Sequence, residues 1–224
     1  MIKDNIEDIR CRINAAIAKA NRSIDDIAVV AVTKTVQPDK IREAIGCGIT
    51  DIGENKVQEA TLKYNEIPKQ VRWHMVGHLQ SNKAKAAVEI FEMIHSLDSL
   101  HLAEAIDAQA RKLDKTQKVL VQVNASGEEE KSGVAPEDLD SLLKEIDELK
   151  NISVTGLMTM APIADNKEKA RPYFRILRDL FESAKKKGYK RIKMQHLSMG
   201  MSEDFETALE EGANMVRIGR AIFK

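Results

Sequence analysis

An excess of charge of one sign is missing: 35 Lys and Arg balance 35 Asp and Glu, for a formal net charge of zero. That balance argues against nucleic acid as the main partner, because phosphate backbones call for a basic surplus. Cysteine is nearly absent. Cys11 and Cys47 have neither metal-ligand spacing nor a disulfide framework, so no metal is expected and free thiols in a reducing cytosol are. No apolar stretch approaches the length of a membrane span, and Met1–Asn5 carries no signal-peptide features. A cytoplasmic protein with no membrane partner is expected. Nor is there a flexible linker or a break in composition, so 1–224 reads as a single domain.

What is present alternates. Isoleucine at 2, 6, 9, 13 and 17 marks a helical stripe over residues 2 to 20, ahead of the first strand. Ile27–Lys34 is an apolar run closed by a lysine, the pattern of a strand buried on both faces of a parallel sheet. Pro38 fits the first turn of a helix that stops near Gly46 and Gly48. Further strands are expected at Ile49–Gly53, Val71–Gly77, Met93–Leu97, Val119–Val123 and Ile152–Met160. Helices fall between them, with Ser81 as one N-cap, Asp98 or Ser99 as another, and Pro136 opening a third. The basic run Lys185–Lys193 reads as a helix C-terminus and its exit, where cations favour the helix dipole.

Two strand-turn units complete the count. One is Met194–Ser202, whose last serine is expected to open a helix ended by Gly212 in a left-handed conformation. The other is Asn214–Arg220. Eight strand-helix units predict an α/β fold, a (β/α)8 TIM barrel with an extra N-terminal helix; an open doubly wound sheet is the other arrangement of such units.

Closure of the barrel decides where the chemistry falls. Active sites of barrels lie at the carboxyl ends of the strands, and phosphate commonly binds after strands seven and eight. Lys34 ends strand one, which closure sets beside strand eight. Taken alone, the lysine also fits a strand-end residue whose stem packs on apolar surface. Partly desolvated, its amine is expected to be a nucleophile for a carbonyl. The serines and glycines of the last two turns are the parts of a phosphate cradle. A ligand with an aldehyde at one end and a phosphate at the other suits the pair, and pyridoxal 5′-phosphate (PLP) is the candidate.

Ala31–Lys34, Gly53–Glu59, Trp73–Lys83, Lys131–Gly133, Gly156–Met160, Leu197–Ser202 and Arg217–Gly219 together resemble the pyridoxal-phosphate homeostasis protein family. These are single-domain proteins similar to the barrel domain of alanine racemase, a PLP fold type III-like arrangement. The resemblance runs in order through nearly the whole chain. It implies a protein that carries or buffers PLP in vitamin B6 and amino-acid homeostasis, with no catalytic residue assigned. It further implies that Lys34 holds PLP covalently as an aldimine and that Ser198 binds phosphate with the backbone N–H groups of Gly219 and Arg220. Arg217 then faces the pyridine nitrogen. Asn55 and Met199 lie in segments expected to approach the cofactor. His74 either lines the pocket or is a satisfied strand histidine. Met158 and Met160 are expected to be barrel core. Where relatives often have tyrosine and threonine, this chain has Lys56 and Arg220, which puts side-chain contacts at both places in doubt. Expected partners are PLP and, transiently, apo PLP-dependent enzymes; a monomer is expected.

Two other readings share the site. An amino-acid racemase of low activity needs a second acid/base, and Tyr64, Tyr173 and Tyr189 all fall at helices or helix ends. Enzymes that use PLP as an electron sink pair its ring nitrogen with a carboxylate, which Arg217 is not. A Schiff-base aldolase acting on a sugar phosphate needs a proton shuttle inside the barrel, where the strands offer few carboxylates or lysines.

Overall fold

The isoleucine stripe is what the first helix buries. In the computed structural model, Ile2, Ile6, Ile9, Ile13 and Ile17 all lie in the core face of α1 (Ile2–Ala18). The structure describes residues 1–18, 22–128, 130–162 and 166–224, so the expected extension of this helix to residue 20 lies outside them.

Strand and helix then alternate: β1 (Ala28–Val32), α2 (Pro38–Gly46), β2 (Asp51–Glu54), α3 (Val57–Lys63), β3 (Arg72–Met75), α4 (Ala84–Ile90), β4 (Met93–Leu97) and α5 (Leu100–Lys112). The second half repeats the plan with β5 (Gln117–Gln122), α6 (Leu139–Ile146), β6 (Ile152–Met158), α7 (Arg171–Lys185), β7 (His196–Ser198), α8 (Phe205–Glu210), β8 (Met215–Ile218) and α9 (Arg220–Phe223). All neighbouring strands are parallel, and β8 pairs with β1 to close the expected barrel.

Period-two alternation divides the core. One set of strand side chains packs outward under the helices. The other fills the barrel, where Val30, Val76, Met93, Leu120, Met158 and Met215 form an inner cluster. Met158 is therefore barrel core as expected, whereas Met160 is 37% exposed on the rim, past the end of β6. β5 and β6 slip register between Val119 and Leu120, where Gly156 takes the place opposite Leu120. A Cβ on Gly156 would lie 1.8 Å from the His196 carbonyl oxygen, so only glycine lets β7 come this close. β7 is short and meets β8 in register only at Ser198↔Met215. The Asn214 side chain completes that seam, accepting from the Leu197 N–H at 2.7 Å and donating to the Gln195 carbonyl at 2.6 Å.

Several helix starts differ from expectation. Ser99 caps α5, its hydroxyl accepting from Leu102. Ser81 instead opens a 3₁₀ turn and lies 3.2 Å from the His101 ring, so α4 begins only at Ala84. α8 starts after Asp204, whose carboxylate takes the Met201 N–H; the Ser202 hydroxyl accepts from Ala221. In both places a tertiary partner claims the serine. Gly212 follows α8 at φ +102°, the left-handed stop expected of it. Among the described residues no helix is long and apolar enough to cross a membrane.

Candidate functional site

β1 and β8 run side by side, Ala31 level with Ile218, so the segments leaving their carboxyl ends meet at the barrel mouth. Lys34 stands two residues beyond β1, in a turn whose next residue, Thr35, has φ +62°. A β-branched residue rarely adopts that left-handed conformation. Two bonds hold it: its hydroxyl donates to the Lys34 carbonyl at 2.6 Å, and its N–H donates to Glu59. Lys34 is exposed, so the desolvation expected from a strand-end position is absent. Its Nζ has no ion pair or hydrogen bond among the described residues.

The lysine lines a cavity of about 270 Å³ with Val32, Thr35, Lys40, Gly219, Arg220 and Lys224. Four of its lining residues are cationic, and among the described residues no acidic side chain lines it. Gly219 packs against β1, since a Cβ there would sit 3.1 Å from the Val32 carbonyl oxygen. It also opens α9, so its N–H and that of Arg220 have no acceptor within the helix. The Arg220 guanidinium turns away to Glu203 at 3.1 Å, and the backbone is what remains for an anion.

Arg217 lies deeper, on the inner face of β8, 3% exposed. It donates to Ser198 Oγ at 2.6 Å and to the Thr159 carbonyl at 2.8 Å. Burial pushes its pKa down to about 10, which leaves it charged at neutral pH. Ser198, expected to meet phosphate directly, is fully buried and committed to Arg217 and to His95, 3.3 Å away. Met199 packs its side chain into the outer core, so only its backbone faces other groups. Both ring nitrogens of the buried His74 have partners: Nε2 meets Asp51 at 2.9 Å and Nδ1 meets His95 at 3.0 Å. Burial raises the Asp51 carboxyl, but bonds from Arg72, His74 and Thr50 outweigh it and hold the group well below the ordinary carboxylate range. His95 and Asp51 escaped the sequence reading. The signal for His95 was a polar pair, His95-Ser96, interrupting the apolar run of β4.

Asn55 is half-buried just past β2, where it is pressed against Gly77: a Cβ on Gly77 would lie 2.3 Å from the Asn55 carbonyl oxygen. The opposite side of the mouth holds a second cavity, about 360 Å³, lined by His78, Gln122, Asn124, Lys131, Met160 and Met201 among others. Gln122 and Asn124 pin the Lys131 loop by donating to the carbonyls of Ser132 and Glu128. Lys131 itself pairs with Glu128 at 2.6 Å. Glu129, in the middle of this loop, lies outside the described residues. No group of His, Cys, Asp or Glu among the described residues is placed to hold a metal.

Comparison with known proteins fits this geometry. The family model for the N-terminal domain of alanine racemase matches residues 5–224. The pyridoxal phosphate homeostasis protein of Aquifex aeolicus is 44% identical over 213 residues, covering 95% of this chain and 92% of that one. Its counterpart from Pseudomonas aeruginosa is 37% identical, with 99% and 94% covered. The structure of PipY from Synechococcus elongatus with PLP bound superposes with a TM-score of 0.86 at 32% identity, covering both chains completely. Alanine racemase from Clostridium difficile, 15% identical with a TM-score of 0.73, shares the fold over 99% of this chain and 56% of its own. A family model over residues 5–224 and two homeostasis proteins matched over nearly their whole length make the chain a member of the pyridoxal phosphate homeostasis protein family.

Proposed function

We propose that residues 1–224 form one PLP-binding domain that carries or buffers the cofactor rather than using it for turnover. PLP supplies an aldehyde that condenses with a primary amine and a phosphate that needs anion donors. The residues present suit both ends. Among the described residues, Lys34 offers an unpaired amine, and the cavity around it is lined by cations without an acidic side chain. That cavity is the observation that carries the reading. Gly219 and Arg220 would hold the phosphate through their N–H groups, Arg217 would present N–H donors to the ring, and Asn55 would approach from the β2 side. PLP is bound in the PipY relative, which supports the same ligand here.

The test is spectroscopic. Purified protein mixed with PLP is expected to gain an absorption band near the edge of the visible, lost on borohydride reduction. A protein that develops no such band and retains no PLP through gel filtration would sink the reading.

A racemase is not favoured. Tyr64 ends α3 against Trp73, Tyr173 lies in α7, and the Tyr189 hydroxyl donates to Asp140, so all three are committed away from the mouth. An aldolase finds more than the sequence suggested, since Asp51 and Glu54 are both buried on β2. Asp51, however, is tied up by Arg72 and His74; Glu54 has Oε1 held by Thr33 and Lys63, whose ammonium keeps the group paired, while its buried Oε2 has no partner among the described residues. Delivery to apo PLP-dependent enzymes, as a monomer, completes the proposal. Lys131 offers a second primary amine on the same rim, between Gly127 and Gly133, which both have positive φ. Lys131→Ala is expected to slow PLP transfer to an apo-enzyme several-fold while leaving binding nearly unchanged. Equal transfer rates would remove Lys131 from the hand-off.

A further inference from the structure

A line of hydrogen-bonding side chains crosses the barrel interior from Arg217 through Ser198, His95 and His74 to Asp51. Both ends of that line have fixed roles. A guanidinium only donates and a carboxylate only accepts. Asp51 is held ionised, so a neutral His74 carries its hydrogen on Nε2 and accepts at Nδ1. His95 must then donate from Nε2 and accept at Nδ1. Ser198, already accepting from Arg217, gives its own hydrogen to His95. Every donor therefore points the same way, from Arg217 toward Asp51. The far end opens to solvent: Asp51 and the half-exposed Arg72 line a cavity of about 470 Å³ at the amino-terminal ends of the strands.

We propose that His74 and His95 are positioning residues for cofactor retention: they fix the direction of the Ser198 hydroxyl and the seat of Arg217, and one proton taken up by the pair reverses the two central bonds of the line, those between Ser198 and His95 and between His95 and His74. The inference rests on PLP being the ligand. Its chemistry is a simple rearrangement. An imidazolium at His74 carries hydrogens on both nitrogens, so the hydrogen between the rings passes from His95 Nε2 to His74 Nδ1. His95 takes the incoming proton on Nδ1, no other bond breaks, and the net gain is one proton from solvent. Ser198 Oγ then accepts from both His95 and Arg217, and its own hydrogen is turned out. The new charge rests against Asp51.

The surroundings favour this distribution of charge. His74 faces Asp51 on β2 and His95 on β4, with Glu92 and His196 nearby. His95 faces His74, Arg217 and His196, with Asp51 further off, and burial beside the Arg217 charge keeps its ring neutral. His196 on β7 also senses Lys118 of β5, and Arg217 senses Asp204. A second positive charge on the line opposes Arg217, so cofactor retention should weaken when the pair takes up its proton.

Two measurements test this. In PLP-free protein near pH 8, ¹⁵N spectra of the imidazoles should show His95 protonated on Nε2 and bare on Nδ1; the reverse tautomer overturns the proposal. Next, the Kd for PLP is compared at about pH 8 and about pH 5.5 in the unmodified protein and in His74→Gln, which keeps the donor order but cannot titrate. The unmodified protein should weaken about tenfold more than the variant, the loss attending one disrupted buried hydrogen bond. Equal pH responses in the two proteins overturn it. Failure of the unmodified protein to bind PLP at either pH would instead reject the ligand, while the tautomer measurement still judges the line.

Discussion

Lys34→Ala is expected to abolish covalent retention of PLP while leaving the barrel intact. The side chain is exposed and makes no polar contact among the described residues, so its removal should change stability by no more than about 0.5 kcal/mol. The absorption band that borohydride removes from the unmodified protein should not form. Weak, reversible binding through the phosphate should persist, because the N–H groups at the start of α9 and the cations of the cavity remain. Peptide mapping after reduction discriminates among the amines in reach. Lys40 and Lys224 line the same cavity, and Lys131 the other. A pyridoxyl group found on any of these in the unmodified protein, and not on Lys34, would reverse the assignment.

The second large effect is structural. Gly156→Ala places a methyl group where the His196 carbonyl oxygen already lies, 1.8 Å from the new Cβ. Neither atom is at the end of a flexible side chain, so β6 and β7 must separate. A cost of at least about 3 kcal/mol is expected, at the upper end for overpacking, because a ladder contact is lost as well. The damage should not stop at stability. β7 carries Ser198, so Arg217 loses its partner, and any folded fraction should bind PLP poorly. A melting curve and PLP titration like those of the unmodified protein would show that the strands can separate at no cost.

Much of this architecture was legible in the chain. Strands buried on both faces print as apolar runs, and Met93–Leu97 was delimited to the residue. Lys34 and Arg217 could be placed because each breaks such a run near its carboxyl end. Local rules failed where a distant partner intervened. Ser81 and Ser202 have ideal cap chemistry, yet His101 and Ala221 claim their hydroxyls. Ser198 and Met199 alternate across a strand, so one faces the buried arginine and the other the outer core, and neither presents its side chain to the mouth. The Asp51–His74–His95 line joins residues on three different strands, and no spacing within the sequence encodes contacts across a barrel.

The seam between β7 and β8 has a consequence for how ligands come and go. Only one residue pair is in register here, and an asparagine amide adds two bonds to the three backbone bonds that cross, from Asn214 to Leu197, from Met199 to Met215 and from Arg217 to Gly200. A side chain can swing on a rotamer timescale at little cost, while a ladder must unzip. The hoop therefore has a clasp, and it lies between the strands bearing Ser198 and Arg217. With one pair in register, the seam is where the barrel is expected to open first, which faster amide hydrogen exchange along β7 than along β5 would show. For the carrier proposed above, that sets the expected opening beside the residues proposed to meet the cofactor's ring and phosphate.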